Sequence, residues 1–265
     1  MDSGKMTFWE HLEQLRKVIF RALFIVLAIM VVLLGFKTFL FDSVVLAPLS
    51  GDFFLYRWID AALGLLGMAS LSEFSLSLIN VDLSAQFFTH LKITFYMALI
   101  ISVPYIIYLV WGFVSPALYQ NEKRWVRGSF VLASVLFYLG VLVGYSFVFP
   151  LTLRFLATYQ VSETVPNTIS LLSYISSFLS LILIMGLAFE IPAVAALLSR
   201  VGILTKQILK KYRKYAVVAA MVLSAVITPS GDAFTMLMVA LPLYFLYELS
   251  IILSKNSITN NDIDK

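Results

Sequence analysis

The chain contains no cysteine in 265 residues. Disulfides, iron–sulfur clusters, haem-thiolate and zinc-thiolate sites are therefore excluded. Charge is nearly as scarce: Asp, Glu, Lys and Arg make up 13% of the residues, where a soluble domain carries about 25%. The two histidines, His11 and His90, stand alone in the sequence; each reads as an interfacial residue and not as a ligand. There is no GxxxxGK loop for a nucleotide and no HExxH pair for zinc. Asp232 follows Pro229, Ser230 and Gly231, but no second aspartate lies in an apolar run, so an intramembrane aspartyl protease lacks half of its site. No repeat links the two halves of the chain, which weakens the alternative of a proton-coupled secondary transporter. The expectation is a protein with no metal, no cofactor, no nucleic-acid partner and no enzymatic activity of its own.

What is present is apolar. Hydrophobic residues make up 61% of the chain and the mean hydropathy is +0.94, the composition of an integral membrane protein. Runs of about 20 apolar residues predict six spans within a single polytopic domain, 1–265. They cover residues 18–41, 87–113, 128–150, 170–198, 215–227 and 233–253. The fold class is then an all-α membrane protein, with Pro104 kinking the second span and Pro192 bending the fourth. Gly140 and Gly144 in the third span have the four-residue spacing that lets helices approach closely. Met1 to Lys17 has no apolar core ending at a small-residue cleavage site, so the first span should be retained.

Six spans place both termini on one side, and the basic residues choose it. Lys5, Arg16, Lys17 and Arg21 flank the first span, and Lys123, Arg124 and Arg127 follow the second. Arg200, Lys206, Lys210, Lys211, Arg213 and Lys214 lie between the fourth and fifth, and Lys255 and Lys265 close the chain. Only Arg57 and Arg154, with Lys37 at the boundary, fall on the other side. By the positive-inside rule both termini are cytoplasmic, and the first outer loop, 42–86, is long and acidic. Ahead of the first span, Phe8, Leu12, Leu15 and Ile19 share one helical face, predicting an amphipathic interfacial helix. Thr7 and Glu10 have the spacing of a capping box, and Glu13 reads as a solvated charge.

Two features resist an ordinary reading. Residues 215–227 make a span of about 20 Å against a hydrocarbon core of about 30 Å. Either the bilayer thins there, or the outer hairpin at 228–232 sits below the headgroups, or Tyr212 and Lys214 extend the span by snorkelling. The last span is expected to be short as well. Second, Glu190 is the only charged residue in the run LSLILIMGLAFEIPAVAALL, Leu179 to Leu198. A carboxylate at that depth costs a few kcal/mol or more without a partner, water or a proton, and intramembrane acids usually mark pathways or partners. A packing polar group inside a bundle is the other reading.

Ordered along the chain, a set of short motifs resembles one family. They are His11-Leu12 with Leu15-Arg16-Lys17, Ala47-Pro48-Leu49, Phe87-Phe88 with Lys92, Phe113 with Pro116 to Tyr119, and Glu122-Lys123-Arg124. Phe137 to Gly140 with Tyr145, Phe189-Glu190-Ile191-Pro192, Thr228-Pro229 with Asp232, Ala240-Leu241-Pro242 and Tyr247-Glu248 complete it. Together they resemble TatC, the multispanning receptor of the twin-arginine protein translocase in the bacterial cytoplasmic (inner) membrane.

The resemblance implies a core receptor that binds twin-arginine signal peptides at its cytoplasmic face. It would scaffold small single-span subunits of the TatA/TatB type in homo- and hetero-oligomers and export folded proteins on the proton motive force. The signal-peptide site implied comprises Glu122, Gln14, Glu10, Phe113, Pro116 and Arg16. Glu122 suits the task, because a carboxylate takes a guanidinium in a bidentate pair that lysine does not reproduce. The family's second glutamate, two residues before the arginine, is Gln14 here, with Glu10 one turn earlier on the same side. Glu190 corresponds to the family's membrane-embedded glutamate, facing the last two spans and a partner subunit. Asp232 and Thr235 are its candidate companions, with Met236 where the family commonly has glutamine. Pro48, Tyr145 and Glu248 are assigned structural roles.

Overall fold

The computed structural model describes residues 8–64, 76–115, 120–160, 162, 167–200, 202–228 and 231–254. Among these the chain is mostly helical, with short connecting turns and one strand pair of two residues each. Among the described residues five helices are long and apolar enough to cross a membrane: Trp9–Leu34, Ala85–Phe113, Gly128–Thr158, Leu171–Arg200 and Ala233–Leu253. The protein is a multi-pass membrane protein.

The first helix, α1 (Phe8–Leu34), runs for 27 residues. The amphipathic segment is thus collinear with the first span and not a separate helix, because no glycine or proline interrupts Phe8 to Leu34. The span also ends earlier than expected. Gly35 and Phe36 turn back on the carbonyls of Val32 and Leu33, and a wider π-helical turn, Phe39–Val45, follows.

Residues expected to be an outer loop form a small folded cap. Ala47–Leu49 is a 3₁₀ turn with Pro48 near its start, and Phe53, with Leu55 and Tyr56 of α2 (Phe54–Gly64), clusters with Ala157. Irregular helical turns leave carbonyls without intrahelical donors, and three tyrosines supply them. Tyr145 donates to the carbonyl of Val44 at 3.0 Å, Tyr174 to that of Val45 at 2.6 Å, and Tyr56 to that of Pro48 at 3.2 Å. Burial, eased by nearby Arg154, pushes the Tyr56 phenol up to about 12, so it remains a donor throughout the neutral range. Pro48 and Tyr145, read from sequence as structural, lie in this lock.

Strand β1 (Leu78–Ile79) pairs in parallel with β2 (Ile169–Ser170), Leu78 opposite Ile169 and Ile79 opposite Ser170. The pair sets α3 (Ala85–Val114) and α6 (Leu171–Ala188) side by side, starting at the same end. α3 continues through Pro104 unbroken. α4 (Gln120–Val143) passes through a π turn at Gly144–Val148 into α5 (Phe149–Thr158), so this span reaches eight residues beyond its expected end. Pro150 is tolerated because it falls in the first turn after the π segment, where its missing N–H costs little.

The core lies where α4 meets α6. A Cβ added at Gly140 would stand 2.5 Å from the Met185 carbonyl oxygen, and one at Gly144 would stand 3.0 Å from the Met185 side chain. Gly186 in α6 returns the contact against Phe137 and Val141. The glycine spacing therefore marks a close backbone approach, filled by Phe137, Phe149, Phe178 and Met185, all essentially fully buried.

The fourth span breaks at Phe189, between α6 and α7 (Glu190–Arg200). Pro192 causes it from three residues downstream, since its ring clashes with the carbonyl four residues back, that of Ala188. After α8 (Lys206–Lys211) comes α9 (Arg213–Ile227), 15 residues or about 22 Å, which remains too short to cross an unperturbed bilayer. α10 (Ala233–Leu253) has 21 residues, about 31 Å. The last span is therefore not short, because Asp232 caps its first turn and Pro242 does not end it.

Candidate functional site

The end of the bundle where α1 begins carries the first group of candidates. His11 stacks on Phe113, near the end of α3, with ring centroids 4.2 Å apart and an interplanar angle of 29°. Neither residue's partner was legible in the sequence, as 101 residues separate them. The stack fixes the start of α1 against the end of α3, just before the segment leading to Glu122. Gln14 is one turn after His11 on the same face and half-buried, while Arg16 is exposed. Glu10, one turn before Gln14, is exposed and makes an interaction of its own. Glu13 is engaged with Lys17 at 2.8 Å, an exposed i,i+4 pair that solvent screens. Glu122 falls in the first turn of α4, and Pro116 lies outside the described residues, as do Thr7, Pro229 and Ser230.

Glu190 occupies the first position of α7, directly after the break. It is half-buried, and its Oε1 has no hydrogen-bond partner among the described residues. Two clefts meet at this side chain. One, of about 400 Å³, opens between α3, α4 and α6–α7 and is lined by Val103, Ile107, Phe130, Phe137 and Leu187 beside Glu190. The other, of about 360 Å³, lies between α7, the segment entering α8, and α10, with Leu204, Leu209, Tyr247 and Ser250 among its walls. Glu190 does face the last span through this second cleft. The α9 segment contributes no residue to either cleft. An apolar guest offering one hydrogen-bond donor matches both clefts, since Glu190 is the one carboxylate in each and the walls are mostly apolar.

Asp232 and Thr235 are brought together, but by each other. Asp232 Oδ1 accepts from the Thr235 backbone N–H at 2.7 Å, and the Thr235 hydroxyl donates to Oδ2 at 2.6 Å. This is an N-cap of α10, with Thr235 fully buried. Glu248 has two partners: Arg213 pairs with it at 2.7 Å and Tyr244 donates at 3.0 Å, tying the start of α9 to α10. No group of three or more His, Cys, Asp or Glu residues suited to a metal ion occurs among the described residues.

Comparisons with known proteins agree on one family. A family profile described as Sec-independent protein translocase protein (TatC) matches residues 10–242. The protein of that name from Blattabacterium sp. subsp. Periplaneta americana is 34% identical over 258 residues, 96% of each chain. That of Escherichia coli K12 is 38% identical over 179 residues, 68% of this chain and 69% of the other. A crystal structure of the twin-arginine translocase receptor TatC in DDM superposes with a TM-score of 0.74. Its sequence is 32% identical, and the match covers 93% of this chain and all of that one.

Proposed function

The chain belongs to the TatC family of Sec-independent protein translocase proteins, and from that premise we propose that it is the receptor core of a twin-arginine translocation system. In this reading six helices cross the bacterial inner membrane, α9 being the short one, with both termini in the cytoplasm. The cytoplasmic face binds signal peptides bearing consecutive arginines. Single-span subunits assemble on the α7–α10 side near Glu190, and folded cargo crosses on the proton motive force.

The observation that carries the reading is the stack of His11 on Phe113. It holds the start of α1, which carries the half-buried Gln14, against the end of α3, and this supports a reading in which a guanidinium pair takes its anion from Glu122 and an acceptor from Gln14. Glu122 supplies charge and bidentate geometry, and Gln14 supplies a hydrogen bond without charge. Phe113 gives the apolar residues near the arginines a surface to lie on.

The test is peptide binding. Glu122→Ala in the full chain should weaken binding of a twin-arginine signal peptide by about tenfold or more, as a charged hydrogen-bonded pair contributes about 1.5–3 kcal/mol. Glu122→Asp should retain part of the affinity. Photo-crosslinking of the peptide to Glu122→Ala at the wild-type level would remove the assignment.

A further inference from the structure

We propose that Lys92 and Ser176 form a binding site for the phosphodiester of a membrane phospholipid, at the end of the bundle opposite the His11–Phe113 stack. The Lys92 ammonium donates to the Ser176 hydroxyl at 3.0 Å. The two ion pairs found among the described residues involve other groups, so the described partner of this cation is neutral. An ammonium inside a span is costly unless a counter-charge or water meets it, and the chain brings none within ion-pair distance among its described residues.

The depth of the pair fits a headgroup. α3 has 30 residues, about 45 Å of helix against a hydrocarbon core of about 30 Å. A centred helix then projects about 7 Å at each end, and Lys92, about 10 Å from Ala85, sits just inside the apolar boundary. Ser176 is about 8 Å from Leu171, and its hydrogen bond with Lys92 holds the two groups at one depth. Side chains lean toward the helix N-terminus, and both helices begin at this end. The ammonium is thus aimed at the plane where phosphates lie.

The flanks favour a lipid over free phosphate. Phe88, one turn before Lys92, is 60% exposed, and Phe95, one turn after on the same face, is 38% exposed. An amphiphile can set its phosphate on the ammonium and its acyl chain along Phe95. Thr89, also one turn before Lys92, is fully buried and its hydroxyl is unpaired among the described residues. Lysine rather than arginine suits a single ammonium–phosphate contact, which needs no planar fork. The inference rests only on α3 and α6 crossing the bilayer, and holds or fails independently of signal-peptide recognition.

The experiment is native mass spectrometry of the full chain, delipidated in neutral detergent and then supplied with dioleoyl-phosphatidylglycerol or with dioleoylglycerol, which has the same tails and no phosphate. The wild type should retain the first and not the second. Lys92→Gln should lower retention at least fivefold, Lys92→Arg should restore most of it, and Ser176→Ala should lower it about twofold. Millimolar inorganic phosphate should not displace the lipid. Lys37→Gln, another cation near the same end, should leave retention unchanged. Equal retention in a folded Lys92→Gln would overturn the proposal, as would an equal loss in Lys37→Gln or displacement by inorganic phosphate. Should Lys92→Gln not fold, unchanged retention in folded Ser176→Ala overturns it instead.

Discussion

Glu190 joins two clefts through one side chain, so substitutions there separate charge from hydrogen bonding and both from packing. Glu190→Leu should leave the protein folded and able to bind signal peptide, because recognition is assigned to the His11–Phe113 end. It should weaken crosslinking to single-span subunits and stop export of a twin-arginine reporter. Glu190→Gln keeps a hydrogen-bonding group and should be milder. Normal export in Glu190→Leu at ordinary expression would return this residue to a packing role. At the other site, Gln14→Glu tests whether Gln14 fills the position of the family's glutamate. Added charge there should tighten signal-peptide binding by up to about tenfold, read as a shift in peptide titration. Glu190 was legible because one charge in an apolar run stands out. His11 was not, since a lone histidine says nothing about a ring 102 residues away.

At the level of elements, the α4–α6 contact makes the sharpest prediction. Gly140→Ala places a methyl against the Met185 carbonyl, and backbone does not yield cheaply, so the cost should be about 1–3 kcal/mol. Gly112→Ala in α3 meets nothing within 4 Å and should be neutral or slightly stabilising, as alanine favours helix over glycine. Thermal melting of the two purified variants checks the contrast, and equal melting temperatures would refute the close approach. Asp232→Ala removes the cap of α10 and should cost about 1 kcal/mol, with Asp232→Asn retaining most of it. Helix positions were readable from apolar runs, and the break at Phe189 was readable from Pro192 once its clash is placed on the Ala188 carbonyl, four residues back. The cap between α1 and α3 was not. Its contacts are tyrosine hydroxyls on carbonyls more than 100 residues away in two cases, and a two-residue strand has no periodicity to detect.

For the whole molecule, orientation is the first thing to measure. Single cysteines replacing Gln207 and Asp82, both exposed, should react with an impermeant maleimide from opposite faces of the membrane. Labelling from one face would remove the six-span arrangement. The chain's native lack of cysteine makes this direct. The shortness of α9 also bears on how the protein is made. α1 is the most apolar of the five long helices and is only slightly buried within the fold, so it can enter the bilayer alone. It then waits for its partner α3 through about eighty residues of synthesis, about 4–16 s at 5–20 residues per second. α9 has no such independence. With 15 residues and an ion pair from Arg213 to Glu248, it should enter only together with α10, and a ribosome stalled before Glu248 should leave α9 outside the bilayer.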